Sequence, residues 1–155
     1  MRNGGAVLTL NGLQGSLLSL VLVSSAPALI RAQDGVVEVE VSGVRTGRGH
    51  VLVAICTHAE FLKEHCGFKG STEAQPGTVP VRVAGVPPGT YAVQAWHDEN
   101  DNGRIDRDLL GIPTEGIGFS RNAPIRLGPP SFEDAAFTVE ASGARTALKL
   151  RYFKG

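Results

Sequence analysis

Residues 36–43, "VVEVEVSG", decide the fold class of this chain of 155 residues. Val37, Val39 and Val41 alternate with glutamates, so apolar side chains recur at every second position. A helix would need its apolar residues three and four positions apart, whereas a period of two is typical of a strand with one buried face. The stretch therefore predicts a β-strand that packs its valines onto a core.

The same alternation recurs along the chain. Further strand candidates are "HVLVAIC" (50–56), "TVPVRVAGV" (78–86), "YAVQAWH" (91–97), "APIRL" (123–127), "AAFTVE" (135–140) and "TALKLRYF" (146–153). The turn "RTGRG" (45–49) predicts a hairpin between the first two strands, and Pro80 predicts an edge strand. "AEFLKEH" (59–65) is the one candidate helical turn. About seven short strands without a long amphipathic helix predict an all-β, antiparallel β-sandwich, with a small barrel as the alternative.

The N-terminal residues 1–32 contain no acid and include a short apolar run within "SLLSLVLVSSAPALIRAQDG" (16–35). This pattern is typical of a secretory signal peptide, and the run is far shorter than the roughly 20 apolar residues of a membrane span. Cleavage after Ala28 or Ala32 satisfies the small-residue rule, and we favour Ala32. The alternatives are an uncleaved anchor or a buried helix. We therefore expect a single domain over residues 33–155 and a periplasmic or secreted protein without a permanent membrane span.

Charge excludes one class of partner. The chain has 15 Lys and Arg against 15 Asp and Glu. Cleavage of residues 1–32 would remove two arginines and no acid. The remaining chain would then carry 13 basic and 15 acidic residues, a net charge of −2. Nucleic-acid binding needs clustered positive charge, so we expect no nucleic-acid partner.

Cys56 and Cys66 are the two cysteines of the chain. In an oxidising compartment an even count favours a disulfide, here closing "CTHAEFLKEHC". The alternative is a metal site that also uses His58 and His65, although the spacing matches no familiar zinc pattern.

The stretch "AWHDENDNGRIDRDLLGIPTEGIGFS" (95–120) carries the chemistry that the sequence offers. Counted from Asp98, every second position of this loop offers an oxygen donor for an ion. The side-chain donors are at positions one, three, five and nine, namely Asp98, Asn100, Asn102 and Asp106, and position seven offers the Arg104 carbonyl. Gly103 at position six permits the sharp bend of an EF-hand-like loop, and such donors suit Ca²⁺.

The match to the EF-hand pattern fails at its end, because Leu109 stands where a bidentate glutamate is needed. Glu115 is the best placed substitute, with Asp108 and Asp101 as weaker ones. The alternative is that these side chains cap turns through hydrogen bonds to the backbone, with no ion bound.

Catalytic interpretations of the same stretch are weaker. Glu99 and Glu115, with His97, could be acid and base groups of a glycan hydrolase, which requires two carboxyls at a defined separation. A sugar-binding surface would instead need an exposed strip of Trp96, Phe119 and Tyr152. No convincing catalytic set emerges.

The strings "PPGTYAVQAWHDENDNGRIDRDLLGIPTEGIGFSRNA" (87–123) and "PSFEDAAFTV" (130–139) resemble the bacterial family called domain of unknown function 2141. The resemblance covers about Val36 to Tyr152 and implies a small, exported, mostly β protein with no established activity. The loop is also similar to the B-type repeats of surface adhesins, which are transthyretin-like or immunoglobulin-like sandwiches that hold calcium. By that analogy the ligands are Asp98, Asn100, Asn102, Arg104, Asp106 and Glu115, and Asn102 departs from the aspartate that many such loops carry.

We therefore expect a non-enzymatic binding or scaffold module of the periplasm or cell envelope, with a loop stabilised by Ca²⁺ and an envelope protein or glycan as partner. The alternatives are an extracytoplasmic glycan-active hydrolase and a carbohydrate-binding module.

Overall fold

Two β-sheets make up most of the computed structural model, which describes residues 34–153. In chain order the strands are β1 (Gly35–Val44), β2 (His50–Cys56), β3 (Phe68–Glu73), β4 (Gly77–Val86), β5 (Gly89–Asp98), β6 (Ile117–Phe119), β7 (Phe137–Val139) and β8 (Ala144–Lys149). A short 3₁₀ turn spans Ser120–Asn122, and the one α-helix among these residues, α1, spans Phe132–Ala135. The all-β sandwich expected from the alternating pattern is confirmed.

The first sheet has the strand order β4-β1-β8. β1 pairs antiparallel with β4 and parallel with β8, with Val39 opposite Val81 on one side and Thr146 on the other. Pro80 lies on β4, an edge strand as predicted, which is where a sheet tolerates proline.

The second sheet has the order β3-β2-β5-β6, and β7 pairs with the start of β5. All of these pairings are antiparallel. His50 pairs with Asp98 across β2 and β5, so the start of β2 lies beside the end of β5, where the polar loop begins.

The main core lies between the two sheets. β1 turns its three alternating valines inward, and the second sheet contributes Val53 and Val93 among others. Each of these side chains is at most 1% exposed. Complete burial of a valine contributes about 1.5–3 kcal/mol, so this cluster supplies most of the driving force for folding.

A second apolar cluster covers the outer face of the second sheet. It contains Trp96, Phe119 and Phe61, with α1 and the loop after β2 packed over them. β2 and β5 are therefore buried on both faces, which explains why "HVLVAIC" is apolar almost throughout.

The predicted hairpin between the first two strands is wrong. β1 and β2 lie in different sheets, so the turn at 45–49 carries the chain from one layer to the other. Gly49 has a φ of 66°, and a side chain there would collide with the Asp98 carbonyl. The turn residues that suggested a hairpin serve this close crossing.

Another local prediction is also wrong. Residues 123–127 form no strand, because Arg121 and Asn122 adopt positive φ and turn the chain out of β6. The helical turn expected at residues 59–65 is present as a single turn, in which the Phe61 N–H donates to the Thr57 carbonyl at 3.0 Å, and the positive φ of Leu62 ends it. The sequence reading also missed β3, whose "FKGSTE" has no clear alternation.

The expected signal peptide and its cleavage site lie outside the described residues. Within residues 34–153, no helix has the length and apolar character needed to cross a bilayer.

Candidate functional site

The loop of residues 99–116 connects the antiparallel neighbours β5 and β6, so both of its ends lie side by side. The His97 N–H donates to the Gly116 carbonyl at 2.9 Å. Asp98 and Glu115 stand at this neck, 2% and 4% exposed. A long polar loop is thereby anchored by two buried carboxylates.

Asp98 organises the first half of the loop. Its two carboxylate oxygens accept the backbone N–H groups of Asn102, at 3.0 Å, and Gly103, at 2.7 Å. The chain reaches these positions through positive φ at Asp101 and Gly103. The curl that the EF-hand-like spacing predicts is therefore present, and hydrogen bonds from the backbone stabilise it.

Glu115 joins the two sides of the loop. One oxygen accepts the Glu99 N–H and the other accepts the Asp106 N–H, each at 3.1 Å. Burial raises the pKa of this carboxyl, and the nearby Asp106 and Asp98 charges add to the rise, while the two N–H bonds oppose it. Glu115 is thus a buried clamp placed close to other acids.

Asp106 is held by two amide side chains. Asn100 Nδ2 donates to it at 2.7 Å, and Asn102 Nδ2 lies 2.9 Å from both of its oxygens. Both bonds lower the pKa of Asp106, and the bond from Asn102 has the larger effect. The amide oxygens meanwhile accept backbone N–H groups, Asn100 Oδ1 from Asn102 and Asn102 Oδ1 from Arg104.

The structure therefore brings the predicted ligand residues into one hydrogen-bonded network. Asn102 touches both Asp98 and Asp106, and Glu115 binds the backbone of Asp106. In the part of the chain that is described, however, no three His, Cys, Asp or Glu side chains converge as a metal site would require. The donor set is chemically suited to calcium, since it is all oxygen, but both asparagines turn nitrogen toward Asp106. The hydrogen bonds from backbone N–H groups to these side chains, which are expected if the side chains only cap turns, are present.

His97 is a structural residue. It is fully buried, Nε2 lies 2.8 Å from the Arg48 carbonyl, and Nδ1 lies 2.7 Å from the Tyr152 hydroxyl. The Arg48 carbonyl can only accept, so Nε2 donates to it, and the Tyr152 hydroxyl is then able to donate to Nδ1. The Tyr152 hydroxyl also accepts the Arg45 N–H at 3.2 Å. Burial raises the pKa of Tyr152, which keeps this donor protonated.

Glu99, which was also considered for catalysis, and the nearby Ser120 are engaged in structural bonds as well. Glu99 Oε1 accepts the Thr46 hydroxyl at 2.7 Å and lies 4.0 Å from His97 Nδ1. The Ser120 hydroxyl is buried and bonds to backbone at Val93 and Ala135. These bonds connect strands, turns and α1.

The aromatic residues form no exposed strip. Trp96 is 9% and Phe119 6% exposed, both within the outer apolar cluster. Tyr152 is half-buried and packs against the main core. A flat sugar-stacking platform of these three residues is therefore not formed.

Cys56 and Cys66 are bonded to each other, with 4.7 Å between their Cα atoms. The bridge ties the loop after β2 to the outer apolar cluster. The alternative Cys-His metal site is therefore not formed, and His58 instead packs edge-on against Phe132.

Sequence reasoning missed an ion pair at the neck of the loop. His50 Nδ1 lies 2.6 Å from Asp101 Oδ1, and this bond raises the pKa of the histidine. The contact depends on the pairing of β2 with β5, which the sequence pattern did not predict.

Comparison with known proteins identifies a family. The model of a family described as "Uncharacterized protein conserved in bacteria (DUF2141)" matches residues 39–147. The match spans both sheets and the whole loop. No curated protein and no solved structure matches.

Proposed function

Because the chain belongs to the DUF2141 family of uncharacterised bacterial proteins, we propose that it is an exported, non-enzymatic binding or scaffold module of the periplasm or cell envelope. In this proposal Ca²⁺ binds the loop between β5 and β6 and stiffens a surface offered to an envelope protein or glycan.

The observation that carries the calcium proposal is the position of Asn102 between two carboxylates. Its N–H bonds Asp98 and its amide bonds Asp106, so the first, fifth and ninth positions of the EF-hand-like spacing are already adjacent. Rotation of the two asparagine amides would exchange nitrogen for oxygen toward Asp106. Calcium would then be held by Asp98, Asn100, Asn102, the Arg104 carbonyl, Asp106 and Glu115.

Electrostatics favours a cation in this position. Burial raises the pKa of Glu115, and the negative charges of Asp106 and Asp98 add to the rise. A divalent ion would relieve the repulsion between these charges. With amides at two ligand positions the charge is modest, so we expect the weak affinity of extracellular sites, with a Kd on the order of 10⁻⁴–10⁻³ M.

Export is supported by the disulfide, since such bridges persist in oxidising compartments. A non-enzymatic role is supported by the engagement of the candidate acid and base groups in structural bonds. His97 is fully buried and bonded to the Arg48 carbonyl, and both Glu115 oxygens accept backbone N–H groups.

Calorimetric titration of metal-free protein tests the calcium proposal. Wild type should bind Ca²⁺, and Asp98→Ala combined with Asp106→Ala should abolish the heat. Because Asp98→Ala also removes the carboxylate oxygens that accept two backbone N–H groups, Asp106→Asn serves as a milder variant. Asp134→Asn, at an exposed carboxylate outside the loop, is the control.

Thermal melting provides a second measurement. At about 100 times the Kd, calcium should stabilise the fold by about 2.7 kcal/mol. If roughly 10–100 mM calcium, about 100 times the expected Kd, produces no binding heat and no rise in melting temperature, the ion is rejected and the loop is a hydrogen-bonded turn.

The raised pKa of Glu115 favours one second candidate, a glycan-active hydrolase in which this carboxyl is the general acid. Turnover of a glycan panel that is lost in Glu115→Gln and Glu99→Gln, with both variants folded, would establish it. Both Glu115 oxygens already bind backbone N–H groups, which is why we rank this candidate lower.

A further inference from the structure

Asn102 and Gly103 form an Asn-Gly pair at the bend of the loop between β5 and β6. Of the three asparagines in residues 34–153, only Asn102 precedes glycine. The backbone nitrogen that follows an asparagine is able to attack the side-chain amide, and glycine favours the attack because it has no side chain beside that nitrogen. The chemistry of this pair therefore has to be considered together with its surroundings.

The side chain of Asn102 is folded back over its own peptide bond with Gly103. Its Oδ1 accepts the Arg104 N–H at 2.9 Å, which closes an Asx turn around Gly103. Gly103 has a φ of 74°, and apart from its chain neighbours no described residue has an atom within 4 Å of where its Cβ would be. The turn thus holds the amide beside the Gly103 nitrogen and leaves open space around the bend.

Each group that would change in such an attack has a suitable hydrogen-bond partner. The Gly103 N–H donates to Asp98 Oδ2 at 2.7 Å, so this carboxylate is placed to accept the proton of the attacking nitrogen. The Arg104 N–H bonds the amide oxygen, where negative charge develops. Asn102 Nδ2, the leaving nitrogen, lies 2.9 Å from both Asp106 oxygens, which fix its direction.

We propose that Asn102 is a site of self-catalysed deamidation in the folded loop. The Gly103 nitrogen bonds to Asn102 Cγ and gives its proton to Asp98. The Cγ–Nδ2 bond then breaks, and the nitrogen leaves as ammonia after water has carried that proton to it. A second water opens the cyclic imide and leaves aspartate or isoaspartate at this position. Both residues of the pair are exposed, so water reaches them.

The modification changes the charge of the loop. Aspartate adds a negative charge at the fifth position of the EF-hand-like spacing, where an amide now stands. The number of charged ligands sets the affinity of such loops, so aspartate tightens calcium binding, whereas isoaspartate lengthens the backbone and disrupts the turn. This effect on affinity rests on the proposed calcium function. The modification itself needs only groups of the loop and water, so either can fail alone.

Mass spectrometry of the purified chain tests the inference. The protein is kept at neutral pH in a calcium chelator, and its tryptic peptide of residues 83–104 is followed with time. Asn102 should gain about 1 Da with release of ammonia. Asn100 and Asn122 are internal controls that precede other residues and should stay unchanged. The folded chain should react at least as fast as the same chain in urea, because the reacting groups are already positioned.

Variants test the roles of the individual groups. Asn102→Gln keeps an amide but has to close a larger ring, so its rate should fall at least about 10-fold. Asp98→Asn removes the proton acceptor and should also slow the reaction at least about 10-fold. Asp134→Asn, at an exposed carboxylate outside the loop, should leave the rate unchanged. Emission of Trp96, the only tryptophan, verifies that each variant is folded.

An unchanged mass at Asn102, or a slower reaction in the folded chain than in urea, overturns the inference, as does an unchanged rate in folded Asp98→Asn. Modification in chelator, together with no calcium heat in calorimetry, would confirm the inference and reject the calcium site. Calcium heat without modification would give the reverse result. Asn102→Asp should lower the calcium Kd about 10-fold, and an unchanged Kd would refute the effect on affinity.

Discussion

Replacement of Glu115 by glutamine should loosen the neck of the loop. The carboxylate uses both oxygens to accept the N–H groups of Glu99 and Asp106. Glutamine keeps one acceptor and directs an NH₂ group at the second N–H, so one partly buried donor loses its partner.

The expected cost follows from that single lost acceptor. A buried donor without a partner costs about 1–3 kcal/mol. Both N–H groups are only part-buried and the substitution also removes a desolvated charge, so we expect a loss of about 1–2 kcal/mol at neutral pH. A domain of this size should then melt roughly 3–10 °C lower.

The pH dependence has a definite sign. Because the folded-state pKa of Glu115 is raised, the folded protein binds this proton more tightly than the unfolded chain. The resulting stability is complete below the unfolded pKa, about 4.3, and is lost as pH rises through the folded pKa. The free-energy gap between wild type and Glu115→Gln should therefore be larger near pH 4.5 than at pH 8.

Urea unfolding followed by Trp96 emission measures these differences in metal-free buffer. Glu140→Gln, an exposed carboxylate outside the loop, should change stability by less than about 0.5 kcal/mol. If Glu115→Gln is as stable as wild type at neutral pH, the clamp contributes nothing and desolvation dominates at this position.

Three further changes test other parts of the fold. Tyr152→Phe leaves Nδ1 of buried His97 without a donor and should cost about 1–3 kcal/mol in urea unfolding; an unchanged midpoint would contradict the network. Reduction of the disulfide, which closes a short loop, should lower stability by about 2–3 kcal/mol, measured in matched oxidised and reduced samples. The raised pKa of His50 beside Asp101 contributes stability that is present below pH 6.5 and lost as pH rises through the folded pKa, so His50→Asn should destabilise at pH 6 and much less at pH 9.

The strands with one exposed face could be predicted from sequence because apolar and polar residues alternate along them. Val37, Val39 and Val41 point to one core, and the same holds for β4. The pairing of strands could not be predicted, since the turn at 45–49 suits a hairpin and a crossing between sheets equally well. Contacts distant in sequence, such as Val39 with Thr146, decide between them.

The sequence predicted which residues form the site but not how their atoms are hydrogen-bonded. Spacing identified Asp98, Asn102 and Asp106 as neighbours, because alternate residues of a curling loop face inward. It could not tell which amide atom faces Asp106, nor that Glu115 binds backbone N–H groups. Tyr152 was unpredictable as a partner of His97, because their contact depends on the packing of the two sheets.

The parallel pairing of β1 with β8 also constrains how the protein folds. One side of β1 stays an open edge until residues 144–149 have been synthesised, so a shorter nascent chain exposes unpaired backbone groups. Closure joins segments about a hundred positions apart, which favours slow folding. A chain truncated before Ala144 should therefore aggregate through that edge.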